Sequence, residues 1–249
     1  MTKRAIVMGA SSGMGREVAR LLLADGWRVG VAARRKDALD ELCREYPQQA
    51  VAEQIDVTGE TAEEQLLSLI EKLGGMDVYV HMSGIGKQNT NLLADIELAT
   101  VDTNGKGFTR MVGAAFRYFS KEIEQGEGAR GGHLVAISSI AGTKGLGPAP
   151  SYSATKAFQN TYLEALEQLS VNRRLGIRIT DIRPGFVDTP LIEGSNYPMK
   201  LHATYVARQI VSAINSRSHV RIIDGRYRLL VFFWRLIPRW LWRHLPLCR

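Results

Sequence analysis

Cysteine is scarce in this sequence, and long uncharged apolar runs are missing. The 249 residues include two cysteines, Cys43 and Cys248, which do not have the spacing of a metal site or a redox motif. This usage fits a reducing compartment and predicts no bound metal. No apolar run approaches the roughly 18 residues of a transmembrane helix, and the start of the chain lacks the apolar segment of a secretory signal. We therefore expect a cytoplasmic protein.

Positive charge is concentrated at one end of the chain. The formal net charge is +7, and residues 225–249 contribute six arginines and no acidic residue. The rest of the chain is therefore close to neutral, which argues against a nucleic-acid-binding groove on the main body. Hydrophobic residues make up 45% of the chain and charged residues 23%. That balance favours a globular core over disorder.

Strand-like apolar runs alternate with helical patterns through most of the chain, beginning with the run RAIVMG and the helical pattern GREVARLLLADG. Such alternation predicts βαβ units and a parallel sheet with helices on both faces, which is a Rossmann-like doubly wound α/β fold. No repeat or linker interrupts the pattern. We assign residues 1–225 to a single domain and residues 226–249 to a C-terminal amphipathic helical tail.

A glycine-rich turn follows the first predicted strand, with the sequence Gly9-Ala10-Ser11-Ser12-Gly13-Met14-Gly15. Glycine permits a tight turn and lets backbone N–H groups approach a pyrophosphate at the positive end of the next helix. The spacing is G-x-x-x-G-x-G rather than G-x-G-x-x-G. A strand-to-helix turn that binds no ligand is the alternative interpretation of this motif alone.

The second predicted strand is followed by Ala33-Arg34-Arg35-Lys36. An NAD site usually places an acidic residue here for the ribose 2′-hydroxyl, whereas a guanidinium suits a 2′-phosphate. Arg34 and Arg35 therefore predict NADP(H) in preference to NAD(H), with a solvated basic turn as the alternative. Asp56 and Val57 end the third predicted strand, where an adenine edge could lie, although an aspartate there is often a simple cap.

Tyr152 and Lys156 are four residues apart in a predicted long helix, so they share one face of it. A neighbouring cation lowers the pKa of a tyrosine from its reference value of about 10, which makes Tyr152 a candidate general acid and base. Ser139 ends a strand-like run and could hydrogen-bond the same substrate oxygen. A lone Tyr-x-x-x-Lys pair is most often ordinary helix surface, so the accompanying motifs carry the interpretation.

These motifs resemble the short-chain dehydrogenase/reductase family, in its compact single-domain type, over nearly all of residues 3–225. The features that occur in the family's order and near its spacings are the glycine turn, Asn104, Ser139, Tyr152-x-x-x-Lys156 and Pro184-Gly185. The resemblance implies that Tyr152 exchanges a proton with a carbonyl or alcohol oxygen and that Ser139 hydrogen-bonds that oxygen. It also implies that Lys156 binds the nicotinamide ribose and lowers the pKa of Tyr152.

The resemblance implies further roles. Asn104 would hold a water in a proton relay, and the alternative is an asparagine at a helix kink paired to the backbone. The residues that would line the nicotinamide are Pro184, Gly185, Val187 and Thr189, and Ser83-Gly84 would pass close to the cofactor. The chain departs from the family at Met8, where a threonine is usual, and at His81-Met82, where two asparagines are usual. We expect a structural role for His81.

Residues 187–203 would form a substrate lid in this family. The apolar members Leu191, Ile192, Tyr197 and Met199 favour a hydrophobic alcohol or ketone, although they could equally serve only to pack the lid.

The C-terminal tail combines arginine with large apolar residues. Arg235, Arg239 and Arg243 recur every four residues and would form one stripe on a helix kinked at Pro238. The apolar residues of the tail are Leu229, Phe232, Phe233, Leu236, Trp240 and Leu241. This combination is typical of an interfacial helix on anionic lipid, which would place the protein on the inner face of a membrane. A dimer interface and a cap over the substrate pocket are the alternatives.

The sequence thus predicts an NADP(H)-dependent oxidoreductase that interconverts a secondary alcohol and a ketone, with a lipid-like or steroid-like substrate. The alternative is a non-catalytic NADP(H)-binding regulatory or scaffold protein on the same fold. The family resemblance also implies a homo-oligomer, either a dimer or a tetramer, formed through the long helices.

Overall fold

A seven-stranded parallel sheet forms the centre of the computed structural model, which describes residues 2–126, 131–189 and 199–246. The strands of the described chain are β1 (Arg4–Met8), β2 (Arg28–Ala33), β3 (Ala50–Gln54), β4 (Val78–His81), β5 (His133–Ile137), β6 (Arg178–Arg183), β7 (Val187–Asp188), β8 (Leu201–His202) and β9 (Val220–Ile222). The sheet order is β3-β2-β1-β4-β5-β6-β9, while β7 and β8 form a separate parallel pair. The predicted doubly wound parallel fold is confirmed.

Helices cover both faces of this sheet. They are α1 (Gly13–Ala24), α2 (Lys36–Glu45), α3 (Ala62–Leu73), α4 (Ala94–Val101), α5 (Phe108–Glu124), α6 (Pro150–Asn172), α7 (Ala203–Ser216), α8 (Gly225–Leu236) and α9 (Arg239–Trp242), with a 3-10 turn at Ile140–Thr143. Side chains alternate across each strand, so Val7 of β1 packs in the core beneath α1 and α7, and Ile6 packs in the core beneath α3, α5 and α6. Burial on both faces explains why the strands are apolar runs rather than alternating ones.

The sheet has a switch point between β1 and β4, where the strand order reverses direction. In open parallel sheets, ligands bind outside the carboxyl ends of the strands at such a point. The fold therefore places the glycine turn after β1 and the loop after β4 at the same crevice.

The helix between β4 and β5 changes its winding around Asn104. A π-helical segment, Asp102–Gly107, joins α4 to α5 without a break in the chain of helical turns. Such a π-bulge is common at functional sites because it redirects side chains and backbone carbonyls. The helix begins at Ala94, because the Asn89 side chain accepts from Leu93 N–H and holds a turn just before it.

The tail is two helices rather than one kinked helix. Ile237 is extended and Pro238 cannot donate a backbone N–H, so α8 ends at Leu236 and α9 starts at Arg239. The predicted single arginine stripe is therefore wrong, since Arg235 lies in the last turn of α8 and Arg239 begins α9. No helix in the described ranges is long and apolar enough to cross a membrane.

Specific contacts attach the tail to the body. The buried Tyr227 hydroxyl accepts from Phe186 N–H at 3.2 Å and donates to the Met199 carbonyl at 3.0 Å. Trp242 donates its indole N–H to the Gly145 carbonyl at 2.7 Å, and Lys144 donates to the Ile237 carbonyl at 2.9 Å. The tail thus packs against the loop after β5 and the segment after β6.

Candidate active site

A cleft of about 500 Å³ opens at the carboxyl ends of β1, β2 and β4. It brings together most of the predicted cofactor-binding residues: Gly9, Ser11, Ser12, Gly13, Met14, Gly15, Arg34, Arg35, Asp56, Val57, Ser83, Gly84 and Thr189. Ala33, Ile55, Met82, Ile85 and Thr103 also line it, although no sequence motif predicts that they bind a cofactor. Their common feature is position at a strand end or on the π-helix, which only the assembled fold reveals.

Glycine is required at two positions of the turn after β1. Gly9 has a φ of +99°, and a Cβ there would lie 2.8 Å from the Ser83 backbone nitrogen. A Cβ at Gly15 would lie 2.1 Å from the Gly9 carbonyl oxygen. The bare backbone therefore leaves a cradle in front of the α1 N-terminus, and no acidic side chain occupies the first turn of that helix. This cradle fits a pyrophosphate.

Arg35 lies across the glycine turn. Its guanidinium donates to the Ser11 hydroxyl at 3.1 Å and to the Ser12 hydroxyl at 2.5 Å. Among the described residues it forms no ion pair, so its charge is not offset by a carboxylate. A guanidinium held beside two hydroxyls at the edge of the cleft fits a phosphate group.

The Asp56 carboxylate caps a local turn. It accepts from Thr58 N–H at 3.0 Å and from the Thr58 hydroxyl at 2.8 Å. Burial acts to raise the pKa of Asp56, but the two hydrogen bonds and the charge of Arg34 outweigh it, so the net pKa is lowered. The carboxylate is thus ionised and engaged in the turn, while its residue still lines the cleft.

Lys156 is a fully buried cation behind the cleft. Its ammonium donates to the Ile137 carbonyl and to the Gln159 side-chain oxygen, both at 2.9 Å. Burial lowers the pKa of Lys156 to about 8, against the opposing charge of Asp181. The ammonium lies 5.8 Å from the centre of the Tyr152 ring, as expected for two positions one helical turn apart.

Gly84 and Gly86 allow the loop after β4 to pass close to this pair. A Cβ at Gly84 would lie 3.7 Å from the Lys156 Nζ, and one at Gly86 would lie 2.5 Å from the Tyr152 Cδ2. Gly86 was not identified from the sequence, because nothing local marks a glycine that a distant ring packs against.

Ser139 begins the 3-10 turn after β5. Its hydroxyl accepts from Ala141 N–H at 3.1 Å and donates to the Pro184 carbonyl at 3.5 Å. The long second bond leaves the hydroxyl able to turn toward another acceptor. Ser139, Tyr152 and Lys156 thus come from a strand end and one helix face on the same side of the sheet.

Asn104 is buried in the π-helix and pairs with the backbone. Its side chain accepts from Ile85 N–H at 2.9 Å and donates to the Ile85 carbonyl at 2.6 Å. Its own carbonyl accepts from the Gln159 side chain at 2.8 Å. The side chain therefore fixes the loop after β4, as the backbone-paired alternative supposed, and the carbonyl already has a protein donor.

Within the described chain, five predicted cofactor residues do not line the cleft: Tyr152, Lys156, Pro184, Gly185 and Val187. Lys156 is shielded because it is buried. Gly185 is a packing glycine, since a Cβ there would lie 2.2 Å from the Tyr227 ring. Val187 is buried in β7, next to the cleft residue Thr189. In the proposed lid, Leu191, Ile192 and Tyr197 lie outside the described residues.

His81 ends β4 in the core. Its Nδ1 is 3.0 Å from the Tyr79 hydroxyl, and its ring makes an edge contact with Phe108. Burial, together with the smaller effect of the Lys156 charge, lowers the pKa of His81 to about 3. His81 is therefore neutral at physiological pH, which supports the expected structural role.

The fold and the cleft have the features of a nucleotide-binding oxidoreductase, and comparison with known proteins identifies the family. The short chain dehydrogenase family model matches residues 3–199. The chain is 36% identical over 204 residues to an uncharacterized oxidoreductase of Myxococcus xanthus, a match that covers 79% of this chain and 77% of the relative. The chain belongs to the short chain dehydrogenase family and is an oxidoreductase.

Two solved structures show the same fold at low identity. A short chain dehydrogenase from Burkholderia cenocepacia in complex with NADP matches with a TM-score of 0.80 at 20% identity, over 100% of this chain and 98% of its own. The 3-ketoacyl-(acyl-carrier-protein) reductase from Brucella melitensis complexed with NADH matches with a TM-score of 0.77 at 23% identity, over 90% of this chain and 97% of its own. Nicotinamide cofactors of both kinds thus occur on this fold.

The buried Lys156 predicts a pH dependence of stability. Its folded pKa of about 8 is below the unfolded value of 10.5, so only the unfolded chain holds the proton between these values. The burial penalty is therefore fully present below pH 8 and is relieved as the pH rises toward 10.5. We expect the stability of the wild type relative to Lys156→Met to rise by about 2 kcal/mol between pH 8 and pH 10.

Urea unfolding at fixed pH measures this difference. The exposed Lys121→Met, on α5, is the matched control, and its difference from the wild type should stay flat over the same range. A flat profile for Lys156→Met as well would show that the ammonium is not buried as the structure has it.

Proposed function

We propose that this protein is an NADP(H)-dependent oxidoreductase that interconverts a secondary alcohol and a ketone of a hydrophobic substrate, with Tyr152 as general acid and base. The observation that carries the proposal is the buried Lys156 ammonium beside the Tyr152 ring, at the end of the phosphate-type cleft. Burying a cation without an ion-pair partner costs free energy. Stabilisation of the Tyr152 phenolate would give a functional reason for a cation in this position.

NADP(H), when bound, supplies or accepts the hydride. The backbone cradle at Gly9 and Gly15 would hold its pyrophosphate at the α1 N-terminus. Lys156 would bind the ribose and stabilise the phenolate of Tyr152. Tyr152 would donate a proton to the carbonyl oxygen during reduction and accept one from the hydroxyl during oxidation, while Ser139 would hydrogen-bond that oxygen.

Turnover by Tyr152→Phe tests the proton-transfer role. The substitution keeps the ring that packs on Gly86 but removes the hydroxyl. We therefore expect NADPH-dependent reduction of hydrophobic ketones to fall at least about 100-fold, because general acid catalysis contributes roughly 100- to 10,000-fold. NADPH binding, measured by cofactor fluorescence, should be unchanged. Tyr162→Phe on the same helix is the matched control, since Tyr162 stacks on Phe158 and lies away from the cleft.

Near-wild-type turnover of Tyr152→Phe would exclude this mechanism. Tight NADPH binding by the wild type with no NADPH oxidation at 340 nm, over a panel of ketones, would instead favour the non-catalytic binding protein.

The preference for NADP(H) is part of this proposal and rests on Arg35 and Arg34. We expect Arg35→Gln to raise the KM for NADPH about 10- to 100-fold, which corresponds to the loss of one or two hydrogen bonds to a charged group. The KM for NADH should change little. Steady-state kinetics with both cofactors measures this, and Arg44→Gln on the exposed face of α2 serves as control. A wild-type preference for NADH would contradict the proposal.

A peripheral attachment to anionic membranes is supported by the surface of the tail. Its exposed apolar residues are Leu229, Phe232, Phe233, Leu236, Trp240 and Leu241, and the arginines of α8 and α9 are exposed as well. Only Arg226 among them is paired with a carboxylate in the described structure, that of Asp224. Exposed aromatic side chains with unpaired arginines fit a lipid interface that carries negative headgroups. The cytoplasmic location stays a prediction.

Sedimentation with phosphatidylglycerol vesicles tests this attachment. We expect the double variant Phe232→Ser, Phe233→Ser to reduce vesicle binding roughly tenfold, because two half-exposed rings lose their apolar contact with lipid. The matched control is Leu67→Ser, Val171→Ser, which removes exposed apolar residues elsewhere. Equal binding by both double variants and the wild type would argue against the tail as the attachment site.

The predicted homo-oligomer stays a prediction. The described surface that supports it is an apolar face on α4 and α6, where Leu98, Val101 and Phe158 are exposed. A shallow depression of about 680 Å³ on this face includes Val101 and Phe158. A sedimentation-equilibrium mass equal to that of one chain would exclude it.

A further inference from the structure

Gln159 connects the two predicted catalytic residues that lie deepest in the protein. It is fully buried on α6, 0% exposed, and each end of its amide is hydrogen-bonded. The oxygen accepts from the Lys156 ammonium at 2.9 Å, and the nitrogen donates to the Asn104 carbonyl at 2.8 Å. One side chain thus joins the cation to the backbone of the π-helix.

The chemistry of its partners fixes the orientation of this amide. An ammonium can only donate, and a backbone carbonyl can only accept. The amide oxygen must therefore face Lys156 and the amide nitrogen must face Asn104. A flipped amide would set donor against donor and acceptor against acceptor.

The family resemblance implied a relay water held by Asn104, and the Gln159 bridge uses the Asn104 carbonyl, one of the groups that could hold that water. A water between Lys156 and Asn104 would accept from the ammonium and donate to the carbonyl, and the Gln159 amide makes the same two bonds. A water can exchange its protons with its neighbours, whereas an amide N–H is not acidic enough to do so near neutral pH. Proton transfer through Asn104 would therefore stop at Gln159.

We propose that Gln159 is a positioning residue that replaces the relay water and holds the Lys156 ammonium against Tyr152. The inference rests on the proposed function, in which Lys156 acts on the phenol of Tyr152. It follows that Tyr152 does not exchange its proton through Asn104 and the helix interior.

Two substitutions distinguish a hydrogen-bonding role from simple filling of space. Gln159→Met keeps the length of the side chain and removes both hydrogen bonds. Gln159→Ala removes both bonds and leaves space for a water, which would have the Lys156 ammonium and the Asn104 carbonyl as partners. If the amide acts as a fixed water, Gln159→Ala should disturb the site less than Gln159→Met does. If Gln159 only fills space, Gln159→Met should disturb the site less.

The phenol of Tyr152 provides a measurement that needs neither cofactor nor substrate. Absorbance at 295 nm is followed against pH for each protein and for the same protein carrying Tyr152→Phe, and the difference isolates this phenol from the other tyrosines. We expect Gln159→Met to move the midpoint upward by about one pH unit, the shift equivalent to one lost hydrogen bond to a charged group. Gln159→Ala should stay close to the wild type.

A midpoint that shifts in Gln159→Ala but not in Gln159→Met would overturn the proposal. So would equal midpoints in the wild type and both variants, or equal shifts of the midpoint in the two variants. Gln49→Met is the matched control, because Gln49 also donates to buried backbone carbonyls but lies far from the site. Gln159→Leu replaces Gln159→Met if the latter does not fold. Because the titration involves no turnover, its result is independent of the ketone assays that test the proposed function.

Discussion

The burial of one positive charge organises this site. Lys156 lies in the interior, where an ammonium without partners would cost several kcal/mol. The protein offsets this cost with the Ile137 carbonyl at the end of β5 and with Gln159 one turn along α6. The sheet, the longest helix and the π-helix therefore meet around a single cation, and each must keep its position for the cation to stay there.

The remaining geometry follows from the parallel sheet. All strands of the main sheet run the same way, so their carboxyl ends deliver Gly9, Arg34, Ser83 and Ser139 to one edge. The phosphate-type cradle and the proton-transfer residues need no common segment of sequence, because the crossover helices bring them together. The π-helix also helps to assemble the site. It directs the Asn104 side chain to the loop after β4 and leaves the Asn104 carbonyl free to accept from Gln159.

Much of this could be predicted from the sequence, because the decisive signals are local. Alternation of apolar runs and helical patterns predicts the sheet, and the turn after β1 and the Arg34-Arg35 pair mark the cleft. Gly86, Gln159 and Tyr227 could not be predicted, since each is defined by a contact with a residue far along the chain. The break at Pro238 was underestimated because the four-residue spacing of the arginines is regular in the sequence, whereas the backbone at Ile237 is extended.

Tyr227 joins two parts of the chain that lie far apart in sequence from α8. Its single hydroxyl holds Phe186 and Met199, the residues that lie close to the two ends of the predicted lid. Residues on either side of that segment are thereby hydrogen-bonded to the same point on α8. A displacement of α8 would therefore act on Phe186 and Met199 together, through this one hydroxyl.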